Sequence, residues 1–234
     1  MRAPNAGPYT LSGTNSWMIG RDGAYLIDPG PAIPEHIKAI LAEAEARGGL
    51  AAIVLTHDHP DHSDATEAVR SQIGAAVVSS AADADVTLGD GSSIGPLTAI
   101  ATPGHAADHL SFIAGPVCFS GDAILGKGSV FVSSYPGALA AYLAGLRRLR
   151  ELDLELIAPG HGPLITDPAA RIDAYIAHRL ERERQIAEAL GEGLAEEELL
   201  ERIWPNVSPA LRPAAHATLK AHLNKLADEG RLPR

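Results

Sequence analysis

From His57 to His62 the chain reads His-Asp-His-Pro-Asp-His, three histidines and two acids within six residues. Imidazoles and carboxylates crowded this tightly repel one another or stay poorly solvated unless a cation organises them. A divalent metal does so, taking N and O ligands at about 2.0–2.2 Å. The plainer reading is a solvated acidic turn. Against it, the chain holds only 10 histidines and three of them fall here. More candidates lie downstream, each beside Gly or Pro: Thr102-Pro103-Gly104-His105, Gly121-Asp122, and Pro159-Gly160-His161-Gly162. Taken singly, His105 and His161 read as polar turn residues and Asp122 as a cap. Together the four places supply five histidines and two aspartates, enough for two adjacent metals if one carboxylate bridges them.

Each group follows a short apolar run, at 51–55, 97–101, 117–120 and 154–158, that reads as a buried strand. The strands would therefore deliver the candidate ligands to the loops at their C-terminal ends, where Gly and Pro fix tight turns. Further strand signals cover 9–19, 24–27, 75–79 and 110–114, and helical periodicity covers 34–47, 64–73, 137–149 and 168–190. Pro34 and Pro168 suit the first turn of a helix, with Asp167 a ready N-cap. Strands outnumber helices and helices are spread along the chain, which predicts an α/β architecture of sheets covered by helices.

After Gly191-Glu192-Gly193 the composition turns helical and polar. One helix is predicted over 195–203. A second runs over 211–228, interrupted early by Pro213 and carrying an apolar stripe of Leu211, Ala215, Leu219, Leu223 and Leu226. Arg212, His216 and Lys220 share a neighbouring line. The segment 229–232 stops this helix and could begin a strand. The basic line reads either as a phosphate-contacting or partner-binding face, or as the solvated side of a lid that packs beside the metal cleft.

Composition sets bounds. With 234 residues, one large domain plus a small appendage is expected. No run of about 18 apolar residues predicts a membrane span, and the N-terminus shows no secretory or transit pattern. The single Cys118 cannot pair internally, which fits a reducing cytoplasm and a core strand. The net charge of −10 argues against a generally basic nucleic-acid surface. Residues 1–170 carry 9 Lys/Arg against 18 Asp/Glu, a net of −9, and residues 171–234 carry 10 against 11, a net of −1. Divalent cations in the cleft would still present a positive focus to an anionic substrate.

The cluster of His57, His59, Asp61 and His62 with His105, Asp122 and His161 resembles the metallo-β-lactamase-fold hydrolase superfamily, whose motifs are spread here from Asp28 to His161. Within it, Ser12-Gly13-Thr14-Asn15, the stretch 121–126, Tyr175-Ile176-Ala177-His178-Arg179 and the C-terminal module are similar to the lactamase-beta-like protein 2 group. The resemblance implies an αββα sandwich over 1–167, a connecting helix over 168–192 and a winged-helix-like module over 193–234. It also implies that His57, His59 and His105 hold one metal, that Asp61, His62 and His161 hold the other, and that Asp122 bridges them. Asp61 would in addition accept or orient a water proton. Two such cations make hydroxide available near neutral pH. Zinc suits His/Asp sets without thiolate, with manganese or iron as alternatives. Asp28, Asp58 and His109 are candidates to orient the ligands from behind, and His178 is placed at the cleft rim. His36, His216 and His222 are expected on the surface.

The activity implied is hydrolysis of an anionic substrate, with phosphodiester cleavage of single-stranded RNA ahead of thioester hydrolysis of the glyoxalase II type. Aromatic platforms for unpaired bases are scarce at 4% of residues. A true β-lactamase ranks last, and a metal-stabilised binding protein without turnover is the non-enzymatic alternative. The chain is expected to be cytoplasmic, without membrane contact, and compatible with a homodimer.

Overall fold

The computed structural model describes residues 1–232. Its first sheet holds β1 (Trp17–Ile19), β2 (Ala24–Ile27), β3 (Leu50–Val54), β4 (Ala76–Ser79) and β5 (Val86–Thr87), adjacent in that order. β1 runs antiparallel to β2, and the remaining pairs are parallel. The second sheet holds β6 (Ser93–Ile94), β7 (Leu97–Ala101), β8 (Leu110–Ala114), β9 (Val117–Gly121) and β10 (Leu156–Pro159) in the order β10-β9-β8-β7-β6. Only β9 and β10 pair in parallel there. The helices are α1 (Pro34–Ala46), α2 (Pro60–Ser63), α3 (Thr66–Ile73), α4 (Ala138–Arg150), α5 (Pro168–Gly191), α6 (Glu196–Ile203) and α7 (Arg212–Asp228).

The period of two along the strands builds the layers. Leu26 and Ile53 point outward into a core shared with Ile40 of α1 and Val69 of α3. Ile27 and Val54 point inward to meet Phe112, Phe119 and Ala158 between the sheets. Cys118 and Ile157 point outward again, into a core with Leu143 of α4 and Tyr175 of α5. Both faces of the central strands are thus buried, which is why they read as continuous apolar runs rather than alternating ones. The result is an αββα sandwich, and β2, β3, β7, β9 and β10 all deliver their C-terminal ends to one edge.

The N-terminal strand expected over 9–19 shrinks to Trp17–Ile19, because Leu11 and Gly13 adopt positive φ of 55° and 121° that an extended strand cannot hold. β5 and β6 are two residues each, too short to show a period. Pro213 does not interrupt a helix. It sits in the first turn of α7, where its missing amide costs nothing. α5 is more than a connector: Ile172 and Tyr175 join the sandwich core, while Ile186 and Ala189 join a separate core with Leu199, Ile203 and Leu219 of the C-terminal module. α7 is likewise buried on two sides, with Ala221 against α4 and α5 and Leu219 and Leu226 against α6.

That double burial overturns the expectation of a surface position for His222, which is 0% exposed. His36 is buried as well, its Nε2 2.9 Å from Ser16 Oγ beneath the β2 turn, whereas His216 is exposed as expected. The strand expected to begin in 229–232 has not formed by Leu232, and its continuation lies outside the described residues. Among the described residues, no helix is long and apolar enough to cross a membrane.

Candidate metal centre

The strand ends bring His57, His59, Asp61, His62, His105, Asp122 and His161 together at one edge. His59 Nδ1 faces both His57 Nε2, at 3.0 Å, and His105 Nε2, at 2.9 Å. One proton cannot serve both contacts. Asp61 Oδ2 lies 3.2 Å from His161 Nε2 and 3.6 Å from His62 Nε2, and those two nitrogens are 3.3 Å apart. Ligand atoms about 2.1 Å from one tetrahedral ion sit about 3.4 Å from each other, so these spacings match the edges that coordination polyhedra would have. Asp122 lies between the groups: Oδ1 is 3.5 Å from His62 Nε2, and Oδ2 is 3.6 Å from His105 Nε2 and 3.4 Å from His161 Nε2. Its buried Oδ1 has no hydrogen-bond partner. The cluster fits a metal site, with His57, His59 and His105 as one convergent group and Asp61, His62 and His161 as another.

The electrostatics of the cluster point the same way. Burial brings His105 down to about 4 and holds His57 well below the ordinary imidazole range. His62 and His161 run the other way: burial opposes their charged form, but the Asp122 carboxylate, aided by Asp61 and, for His62, by Asp28, outweighs it and raises both. Burial would raise the Asp122 carboxyl, yet the charges of His62 and His161 hold it well below its usual range. The carboxylates raise these two imidazoles in a pocket with little other positive charge, which a bound cation would supply.

Behind the ligands, acceptors take the far ring nitrogens. His62 Nδ1 donates to Asp28 Oδ2 at 2.8 Å. Thr56 Oγ1 also donates to Asp28 Oδ2, at 2.8 Å, so it is free to accept from His57 Nδ1 at 3.0 Å. His105 Nδ1 donates to Phe131 O at 3.2 Å and His161 Nδ1 to Gly13 O at 3.4 Å. Each bond turns the other ring nitrogen toward the cluster. Asp28 holds its place at a φ of 52°, a left-handed conformation that aspartate tolerates better than most residues. The approach is close enough that only glycine fits at 160, since a Cβ there would lie 2.5 Å from Asp122 Oδ1 and 2.7 Å from His62 Cε1.

His109 orients a ligand through the backbone. Burial keeps its ring neutral, down to about 3, so Nε2 accepts from the Asp122 amide at 3.0 Å while Nδ1 donates to Thr102 Oγ1 at 2.9 Å. Two expectations are not met. Asp58 is exposed on the far side of its turn, where its amide donates to Asp108 Oδ2, and its carboxylate reaches no imidazole among the described residues. His178 is half-buried and does not line the cleft; Arg179, its neighbour, does. Sequence reasoning gave no role to Thr14 and Asn15, although the Ser12-Gly13-Thr14-Asn15 motif flagged them. Asn15 Nδ2 donates to Pro159 O and Gly162 O, at 3.0 and 2.9 Å, which clamps the turn bearing His161.

A cleft of about 520 Å³ opens on this edge. His59, Asp61, His105, Asp122 and His161 form its polar end. Leu11, Leu125, Val130 and Phe131 line it on one side and Trp204, Val207, Leu211 and Ala215 of the C-terminal module on the other, with Tyr9, Lys127, Ser129, Arg179 and Thr218 the polar side chains among them. Arg212 turns away and pairs with Glu201.

Fold and ligand set together define a metal-dependent hydrolase, and the chain belongs to the metallo-beta-lactamase superfamily, whose model matches residues 9–95 and 84–161. Residues 196–234 match the beta-lactamase associated winged helix domain. The chain is 32% identical to a beta-lactamase-like protein 2 homolog of Caenorhabditis elegans, over 97% of this chain and 82% of that protein. It is also 32% identical to an atrochrysone carboxyl ACP thioesterase of Aspergillus chevalieri, over 81% of this chain and 64% of that protein. A crystal structure solved in a di-iron-bound form is 29% identical, with a TM-score of 0.60 over 74% of this chain and 98% of that one.

Proposed function

We propose that the protein is a two-metal hydrolase of esters or thioesters that carry an apolar acyl group. The observation that carries this reading is the cleft lining: beyond the ligand cluster most of the lining side chains are apolar, from Leu11, Leu125, Val130 and Phe131 to Trp204, Val207, Leu211 and Ala215, with Tyr9, Lys127, Ser129, Arg179 and Thr218 the polar exceptions. Such a lining desolvates an acyl chain favourably and gives a string of phosphates few partners. The thioesterase name of one fungal relative agrees.

His57, His59 and His105 would hold one ion and Asp61, His62 and His161 the other, with Asp122 shared; the His/Asp set suits zinc, and the di-iron-bound relative keeps iron in view. Bound there, two divalent cations would supply Lewis acidity that lowers the pKa of water from its bulk value toward neutrality. The chain's own groups supply the rest. Asp61 is the half-buried ligand carboxylate open to the cleft, with Thr14 Oγ1 3.4 Å from its Oδ2, and is placed to take up a proton from attacking water. Asp28, Thr56, His109 and Asn15 hold the ligand side chains in position. Phe131 and Trp204 exclude bulk water from the scissile bond, where low polarity strengthens every charge interaction.

Cleavage of single-stranded RNA is the second reading, favoured by Lys127 and the 44%-exposed Tyr9, a cation and an aromatic ring that both line the cleft. A side-by-side assay of the metal-loaded protein separates the two. The panel is acetyl and octanoyl thioesters, S-lactoylglutathione, single-stranded RNA and a cephalosporin. The acyl reading expects the octanoyl thioester to give the highest kcat/KM. Efficient RNA cleavage with the thioesters untouched would reverse the order.

A further inference from the structure

Residues 130–134 cross between the ligand cluster and the C-terminal module without regular secondary structure, so no ladder of their own fixes their place. They are tied on both sides instead. Toward the cluster, His105 Nδ1 donates to Phe131 O at 3.2 Å, Ser133 N donates to Gly104 O at 2.8 Å, and the Ser133 hydroxyl donates to His105 O. The Phe131 ring also meets the His105 imidazole edge-on, centroids 4.5 Å apart. Toward the module, Val132 N donates to Thr218 Oγ1 at 3.1 Å, and Asn224 Nδ2 donates to Ser134 O at 3.0 Å. Thr218 and Asn224 both belong to α7, and Thr218 is 3% exposed.

We infer that Thr218 is a positioning residue for His105: α7 holds the crossing strap, and the strap's Phe131 carbonyl and ring aim the imidazole at the ion. This inference rests on the metal-centre reading above. A hydroxyl that served only to satisfy the buried Val132 amide would change overall stability and no individual metal affinity. A hydroxyl that sets the strap changes the affinity of the His57–His59–His105 group and leaves the other group alone. Loss of a partner behind a ligand costs roughly 10–100-fold in metal affinity, and Thr218 acts one step further back, so the lower end applies.

The test titrates cobalt(II) into the full-length apoprotein against a competing chelator, following the visible spectrum for each equivalent and melting temperature in parallel. Thr218→Val is expected to weaken one of two equivalents about tenfold. The weakened equivalent is the one that survives in His161→Ala, a variant that keeps only the first group intact. Thr218→Ser restores the affinity because it restores the hydroxyl. Asn224→Ala shifts the same equivalent by less, and His216→Ala, on the exposed face of α7, shifts nothing. If Thr218→Val fails to fold, Asn224→Ala decides, and an unchanged affinity there overturns the inference. Wild-type affinities in Thr218→Val, or equal loss in both equivalents with a lower melting temperature, also overturn it while leaving the metal centre standing. A wild type that binds no cobalt removes the metal centre and the inference together.

Discussion

The strand-end edge and the C-terminal module form opposite sides of one cleft, and they do so by different means. At the edge, side-chain chemistry is set by local sequence: a strand stops, a Gly or Pro turns the chain, and a histidine or aspartate is left at the tip. In the module, the residues lining the cleft are Trp204, Val207, Leu211, Ala214, Ala215 and Thr218, apolar but for Thr218 and of types common in any helix core. Only the docking of α6 and α7 against α5 turns them into one wall of the cleft. In the proposed reading, chemistry is therefore local on one side of the cleft, and selectivity is tertiary on the other.

Substitutions on the two sides should separate accordingly. The largest effect belongs to the edge. His161→Ala should lower kcat by more than the roughly 100-fold that loss of an outer partner costs, and elemental analysis should find one metal equivalent gone from a folded protein. Full activity at unchanged metal content would remove His161 from the site. Next comes the wall. Trp204→Ala should lower kcat/KM for an octanoyl thioester about tenfold, with little change for the acetyl thioester, since pocket contacts discriminate methylenes on that scale. An equal loss on both would make the module a cap without selectivity. The smallest effect is expected on the module's outer face. Arg212→Ala combined with Lys220→Ala should leave KM and its salt dependence unchanged. The exposed Arg212–Glu201 pair contributes at most about 1 kcal/mol of stability. A raised KM confined to long anionic substrates would restore the phosphate-contacting role for that helix.

The same contrast explains what the sequence made legible. The seven candidate ligands could be picked out because residue type, spacing and strand ends coincide, and the family motifs run through the same positions. Asp28 and His109 could be named because each sits in a turn at a strand end. Asp58 failed because a turn sends alternate residues to opposite sides, and composition does not say which. His222 failed for a different reason: an apolar stripe identifies one buried face of a helix, whereas α7 is enclosed by α4 and α5 on one side and α6 on another. The strap at 130–134 left no periodic signal at all, since most of its ties are made by backbone groups that any sequence carries. The module's basic line was visible, but its orientation was not. With Arg212 turned toward Glu201 that line lends RNA no support, and in the proposed reading it is the mainly apolar cleft lining that puts an acyl substrate first.

The central claim is that the seven residues at the edge hold two metal ions across Asp122. Elemental analysis of wild type and Asp122→Asn, each purified without chelator and reconstituted with zinc, tests it most directly. The expected result is about two ions per wild-type chain and clearly fewer in Asp122→Asn, with activity lost in parallel, because the change removes the shared ligand and a negative charge between two cations. A wild-type protein that holds no metal after reconstitution, or that turns over substrate fully without any, would contradict the account.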